Sequence, residues 1–174
     1  MVITMLRTAV FSIFLIAMMP AIADSKIAVP DFELLNLTLK LSDPKKVAEI
    51  DAKDQQNVAL IGNYLRQGLA NSKGYSVITI SEQARDDADK GIGYLFECAE
   101  CSAELGQAHD ADYIVVGRLH KPTYLFSYII VRIFDTKTHS LVKEFRSEVK
   151  GVPEKSIPGA VANLVHKINK HIPH

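Results

Sequence analysis

The stretch Tyr113-Ile114-Val115-Val116-Gly117-Arg118-Leu119 constrains this chain most. Its nearly continuous apolar, β-branched character marks a central strand covered on both faces. Such a strand needs apolar layers above and below a sheet, and the neighbouring segments supply them. Val58, Ile61, Leu65 and Leu69 recur at three and four residues, so an amphipathic helix runs to Ser72. Ser42-Asp43-Pro44 starts it, with Asp43 as N-cap and Pro44 at the first helical position, and Lys73-Gly74 ends it. Lys26 to Leu34 reads as an opening strand in which Pro30 marks an edge or a bulge. Asn36 to Leu41 is ambiguous, alternating Leu with polar residues.

Tyr75 to Ile80 is a second β-branched strand. Ser81 caps a short helix through Asp89, stopped by Gly91 and Gly93, and Leu95 to Ala108 is a further helix. His120-Lys121-Pro122 breaks the central strand. Thr123 to Phe134 and Leu141 to Val149 then form an antiparallel hairpin around Asp135 to Thr138. Gly151, Pro153, Pro158 and Gly159 read as a connection to a last helix striped by Val161, Leu164, Val165 and Ile168. The order β-α-β-α-β-β-β-α gives an α/β fold of mixed α+β character. It has a single mixed sheet of about five strands with helices packed on it.

Residues 1–23 read as an address rather than fold. Arg7 precedes an uncharged apolar run, Ala9 to Met19, and Ala21-Ile22-Ala23 fits a signal-peptidase site. The run is shorter than the roughly 20 residues a spanning helix needs. Cleavage leaves residues 24–174 as one globular periplasmic domain of 151 residues, with 19 basic against 20 acidic side chains. A domain of that size buries about 70% of its surface without needing a metal or a disulfide. Near-zero charge argues against a phosphate-tracking nucleic-acid binder.

Chemistry-bearing patterns are few. Cys98-Ala99-Glu100-Cys101 is the one cysteine pair, placed at i and i+3 on the expected helix. An exported protein makes a disulfide the first expectation. A redox-active pair is the alternative, against which Glu97, Glu100 and Glu104 would disfavour a thiolate. A metal set of Cys98, Cys101 and His109 lacks a second close pair. No nucleophile elbow, dinucleotide fingerprint or zinc-protease motif occurs. Hence no catalytic, cofactor-binding or metal residue is assigned, and no cofactor is expected. The segment His120 to Tyr124 lies between two core strands. It reads either as a polar bend or as an exposed contact loop, with Lys121 and Thr123 as candidate partner contacts.

Several segments resemble a family of small exported proteobacterial proteins of unknown function, the DUF2380/DUF3280 type. They are Ala28 to Leu34, the Cys98 and Cys101 region, Leu105-Gly106 with Ala111-Asp112-Tyr113-Ile114-Val115-Val116-Gly117, Lys121 to Leu125, and Asp135 to Val142. Thr123 stands where that family tends to have Ser. Lys150-Gly151 and Ser156-Ile157 stand where it has Arg-Gly and a Ser-Trp pair. More distantly, the opening strand and mixed sheet resemble the TolB N-terminal domain and related curli-secretion and penicillin-binding-protein-activator domains. The resemblance implies a non-catalytic soluble periplasmic accessory module that binds an envelope protein. By association it also implies a periplasmic quinoprotein dehydrogenase as a partner. Two alternatives remain beside it: a thiol-disulfide oxidoreductase using Cys98 and Cys101, and a small-ligand or metal carrier.

Overall fold

The computed structural model describes residues 24–38, 43–88, 90–91, 93–123 and 125–173. The signal segment 1–23, the Leu39 and Leu41 part of the alternating stretch, Asp89, Tyr124 and His174 lie outside the described residues. Eleven elements follow in order: β1 Ser25–Ala28, β2 Glu33–Asn36, α1 Pro44–Ala70, β3 Tyr75–Ile78, α2 Glu82–Ala88, α3 Tyr94–Glu97, α4 Ala99–Ala108, β4 Tyr113–Lys121, β5 Ser127–Asp135, β6 Ser140–Val149 and α5 Pro153–His171.

One mixed sheet carries the fold, ordered β3-β1-β4-β5-β6, with β2 also paired to β4. The apolar run is β4, central as its composition requires, parallel to β1 and β2 and antiparallel to β5. Ile114 and Val116 face one side and Val115 and Leu119 the other, and all four are buried. On the second side lies the larger core, where Ile61, Leu65 and Leu69 of α1 and Val161, Leu164 and Ile168 of α5 meet Ile27, Val115 and Ile133. Leu95, Phe96 and Leu105 of α3 and α4 close the other face over Ile114, Val116 and Phe134. Two covered faces explain why β4 shows no polar alternation.

The structure corrects several boundaries. The opening strand is two strands, because Val29 to Phe32 leave the ladder around Pro30, so the sheet has six strands. Ala28 pairs with Ile114 and Glu33 with Arg118, so four residues of the β1–β2 link oppose three of β4, a one-residue bulge. The helix expected over Leu95 to Ala108 breaks at Cys98, whose φ of −103° and ψ of 102° are extended. β4 continues through His120 and Lys121 because it pairs with β2, while Thr123, Leu125 and Phe126 lie outside any strand and β5 begins at Ser127. The final helix begins at Pro153 and includes Pro158. Pro158 forfeits one i→i−4 bond in the second turn. Burial of Ile157, Ala160, Val161 and Leu164 around it holds the helix.

Candidate functional site

The carboxyl end of β4 gathers the sheet's exposed apolar side chains. Strand directions put the end of β2, the β4–β5 loop and the end of β6 at one edge of the molecule, since Asn36 pairs with Lys121, His120 with Tyr128 and Ser127 with Val149. Leu37 follows β2, Leu125 and Phe126 sit in the loop, and Val152 follows β6. They are 53%, 83%, 46% and 54% exposed. Of the seven large apolar side chains exposed among the described residues, these four share that end.

Lys121 anchors its base. Its Nζ donates to both oxygens of Asp54 in α1, at 2.8 and 2.6 Å. Asp54 is buried and also accepts from Asn36 Nδ2 at 2.8 Å, so α1, β2 and β4 are clamped together. Thr123 shapes the loop, because its Oγ1 accepts from the amides of Leu125 and Phe126 at 3.3 and 3.2 Å. Lys121 thus ends β4 with its ammonium on Asp54, and Thr123 lies outside the strands, bonded to the amides of the exposed Leu125 and Phe126.

A second polar assembly crosses the other face. Arg118, buried in β4, donates to Glu33 at 2.6 Å and to Glu97 at 3.0 Å, and its guanidinium stacks 3.7 Å from the Phe96 ring centre. Arg132 donates to Glu97 at 2.6 Å, to Glu144 at 2.8 Å and to the Phe96 carbonyl at 2.9 Å. The Gly93 amide closes the ladder onto Glu33 at 2.7 Å, made possible by the left-handed backbone at Gly93, φ 81°. The Arg132 hydrogen bond, with help from Arg118, holds the Glu97 carboxyl below its ordinary range. Burial, then the charges of Arg118 and Arg146, lower His120. The arginines and carboxylates are paired with one another, so the ladder ties β2, β4, β5 and β6 to α3. Sequence reading missed it, although a lone Arg inside an apolar strand is the signal that announces a buried partner.

Cys98 and Cys101 form a disulfide with their Cα atoms 5.3 Å apart. Cys98 is the N-cap of α4, its sulfur accepting the Cys101 amide at 3.1 Å, and the Tyr94 hydroxyl lies 3.0 Å from Cys101 Sγ. The pair sits on the α3–α4 side of the sheet, whereas Lys121 faces α1. His109 is turned to the Leu105 carbonyl at 2.9 Å, and the described residues hold no cluster fit for a metal ion.

An open groove runs beside β2. Phe32, Glu33 and Leu34 form its floor, Gln55 of α1 one wall, and Arg85, Asp86 and Gly91 the other, enclosing about 400 Å³. It continues past Asp31, Val58, Ala59, Asn63 and Arg66.

The family model DUF3280, described as a protein of unknown function (DUF2380), matches residues 25–168. The chain belongs to this family. No curated protein matches the chain. Among solved structures, the hypothetical protein CT253 from Chlamydia trachomatis is similar, with a TM-score of 0.53 at 12% identity, covering 85% of this chain and 98% of that one. The LpoB C-terminal domain from Escherichia coli gives 0.48 at 13%, covering 76% and 87%. TolB from Acinetobacter baumannii gives 0.48 at 15%, covering 84% of this chain and 28% of TolB. At 12% identity the likeness to CT253 is one of fold alone.

Within this DUF3280 chain, the segments that carry the family resemblance do architectural work. Asp112 accepts the Lys26 amide at 3.0 Å and the Lys137 ammonium at 3.1 Å, fastening β1 and the β5–β6 turn to the start of β4. That bonding, led by the Lys26 amide, keeps its carboxyl below the usual range. Asp135 accepts the amides of Lys137 and Thr138 at 2.9 and 2.8 Å, an Asx turn. Ile157, in the segment that departs from the resemblance, is buried in the main core.

Proposed function

We propose that this protein is an exported, non-catalytic accessory module that binds an envelope or periplasmic partner through the end of the sheet built on Lys121. The observation that carries this reading is the gathering of Leu37, Leu125, Phe126 and Val152 at one end, on a base rigidified by the Asp54–Lys121 pair. Scattered exposed apolar residues are ordinary, but several gathered at one end of a rigid scaffold are how a partner surface is made. Lys121 and Thr123 act beneath that surface, one fixing the strand end and the other holding the loop that presents Leu125 and Phe126. Export to the periplasm rests on the signal-like segment 1–23. No helix among the described residues is long and apolar enough to cross a membrane. The partner class named by the family association, a quinoprotein dehydrogenase, is one target to try.

Photo-crosslinking tests the reading. A photoreactive residue at position 125 should give a discrete adduct in native periplasmic extract, and one at Leu60, exposed on α1, should not. Absence of any adduct at 125, or equal adducts at both positions, would count against it.

A second reading, thiol-disulfide exchange, is favoured by the place of Cys98 at the N-terminus of α4. Helix N-termini stabilise thiolates. In that reaction a partner dithiol is oxidised as the Cys98–Cys101 bond is reduced, with two electrons and two protons passing between them. A reduction potential low enough to resist the glutathione pool would eliminate it.

A further inference from the structure

The sheet contains a notch. β3 pairs with β1 alone and stops at Ile78, while β2 continues the same line beside β4 for four more residues. The place a longer β3 would take beside β2 holds no strand among the described residues. It is the groove floored by Phe32, Glu33 and Leu34. The Leu37 amide donates to the Lys121 carbonyl at 3.0 Å, and Asn36 is in register with Lys121. Because backbone direction alternates along a strand, Glu33, Leu35 and Leu37 bond to β4, and the amides and carbonyls of Leu34 and Asn36 turn outward into the notch.

The other long edge is guarded. β6 presents Lys143, Glu144, Arg146 and Glu148, and Lys167 of α5 donates to the Arg146 carbonyl at 2.9 Å. Charges and a capping lysine of this kind deter pairing with another chain. The β2 edge carries Leu34 and Asn36 instead, between walls set apart because α1 covers one face of the sheet and α2 the other. Its lining sets Arg66 and Arg85 against Asp31 and Asp86, and the remaining charge, Glu33, is spent on Arg118, so the groove carries no large excess of either sign.

We propose that this notch binds an extended, uncharged peptide segment of a partner protein, added as a strand to β2. The segment supplies the one chemistry that matches two outward backbone pairs about 6.6 Å apart, alternating N–H and C=O groups at strand spacing. A balanced lining selects against strongly acidic or basic sequences. The notch runs directly into Leu37 and the apolar end, so one bound segment reaches both. The inference deepens the partner-binding reading and rests on it.

The probe is a phage-displayed library of linear heptapeptides panned on the full chain, followed by a synthetic copy of the peptide selected. Bound peptide should slow hydrogen exchange at the Leu34 and Asn36 amides. N-methylating alternate residues of the peptide should weaken binding at least about tenfold, the worth of one or two hydrogen bonds. Leu34→Pro deletes an outward donor, a position where an edge strand tolerates proline. It should weaken binding by a similar factor, while Leu34→Ala keeps the donor and the affinity. A library that returns no binder, or a peptide that tolerates both N-methylation and Leu34→Pro, overturns the inference. The crosslinking result at position 125 is read separately, so a partner captured there by a chain with no peptide-binding notch leaves the accessory role standing and removes strand addition.

Discussion

The Phe32 ring occupies the space in which a side chain on Gly117 would begin: a β-carbon at Gly117 would lie 2.2 Å from two ring carbons. The central strand thus gives up a side chain so that the β1–β2 link can fold its aromatic ring onto the core. Gly117→Ala is expected to destabilise by roughly 1–3 kcal/mol, the cost of overpacking. Urea unfolding would measure it. Adding Phe32→Leu should recover part of the loss, and strictly additive effects would show that the two residues do not compete for this space.

Lys121 and Asp54 form the other decisive pairing. Lys121→Met leaves the buried Asp54 carboxylate without its cation, a loss of about 3–5 kcal/mol. Asp54→Asn in the same background should restore much of it. A Lys121→Met protein as stable as the native one would show that the clamp contributes nothing.

His120 gives a pH signature. Its pKa is lowered from 6.5 by burial and by Arg118 and Arg146, so the unfolded chain takes up a proton that the folded chain resists. Between the two pKa values the unfolded state binds more protons, and stability falls with falling pH. The contribution is therefore complete above pH 6.5 and is lost as pH drops through the folded value. Glu97, Asp112 and Asp135 are also held low, from ordinary values of 4.5, 3.8 and 3.8, and act in the same direction in more acidic solution. Urea midpoints between about pH 8 and pH 5 should fall for the native chain and fall less for His120→Gln. Equal slopes would remove His120 as the cause.

The disulfide closes a very short loop. Chain-entropy reasoning gives it about 2 kcal/mol. Cys98→Ser with Cys101→Ala should lose less than Cys98→Ala with Cys101→Ala, because a serine oxygen can still cap α4. Thermal melts of the two variants compare them directly, and identical melting temperatures would deny Cys98 a capping role.

Much of the architecture was legible because it follows from periodicity. The β4 run announced a doubly covered strand, and Asp43-Pro44 announced the start of α1, where the Asp43 side chain accepts the Lys45 amide at 3.0 Å. What escaped was set by tertiary contact. The sequence Thr123 to Phe126 is as apolar and β-prone as the strand after it. Yet Thr123 bonds the amides of Leu125 and Phe126, and β5 begins only at Ser127. Cys98 looked helical in spacing, yet its sulfur caps the following helix. Lys121 was legible as a candidate, but its partner Asp54 lies 67 positions earlier, beyond the reach of any local pattern.

The extra residue between Ala28 and Glu33 is absorbed as a bulge, which keeps Glu33 facing Arg118 and Leu34 facing the main core. Deleting one codon between Val29 and Phe32 would leave three residues opposite three, so β2 would keep its faces and lose only the bulge. What the spare residue supplies is slack, which lets the link lay the Phe32 ring over Gly117. A link without it would run straight past that glycine, and the hollow there would call for a side chain on the central strand instead.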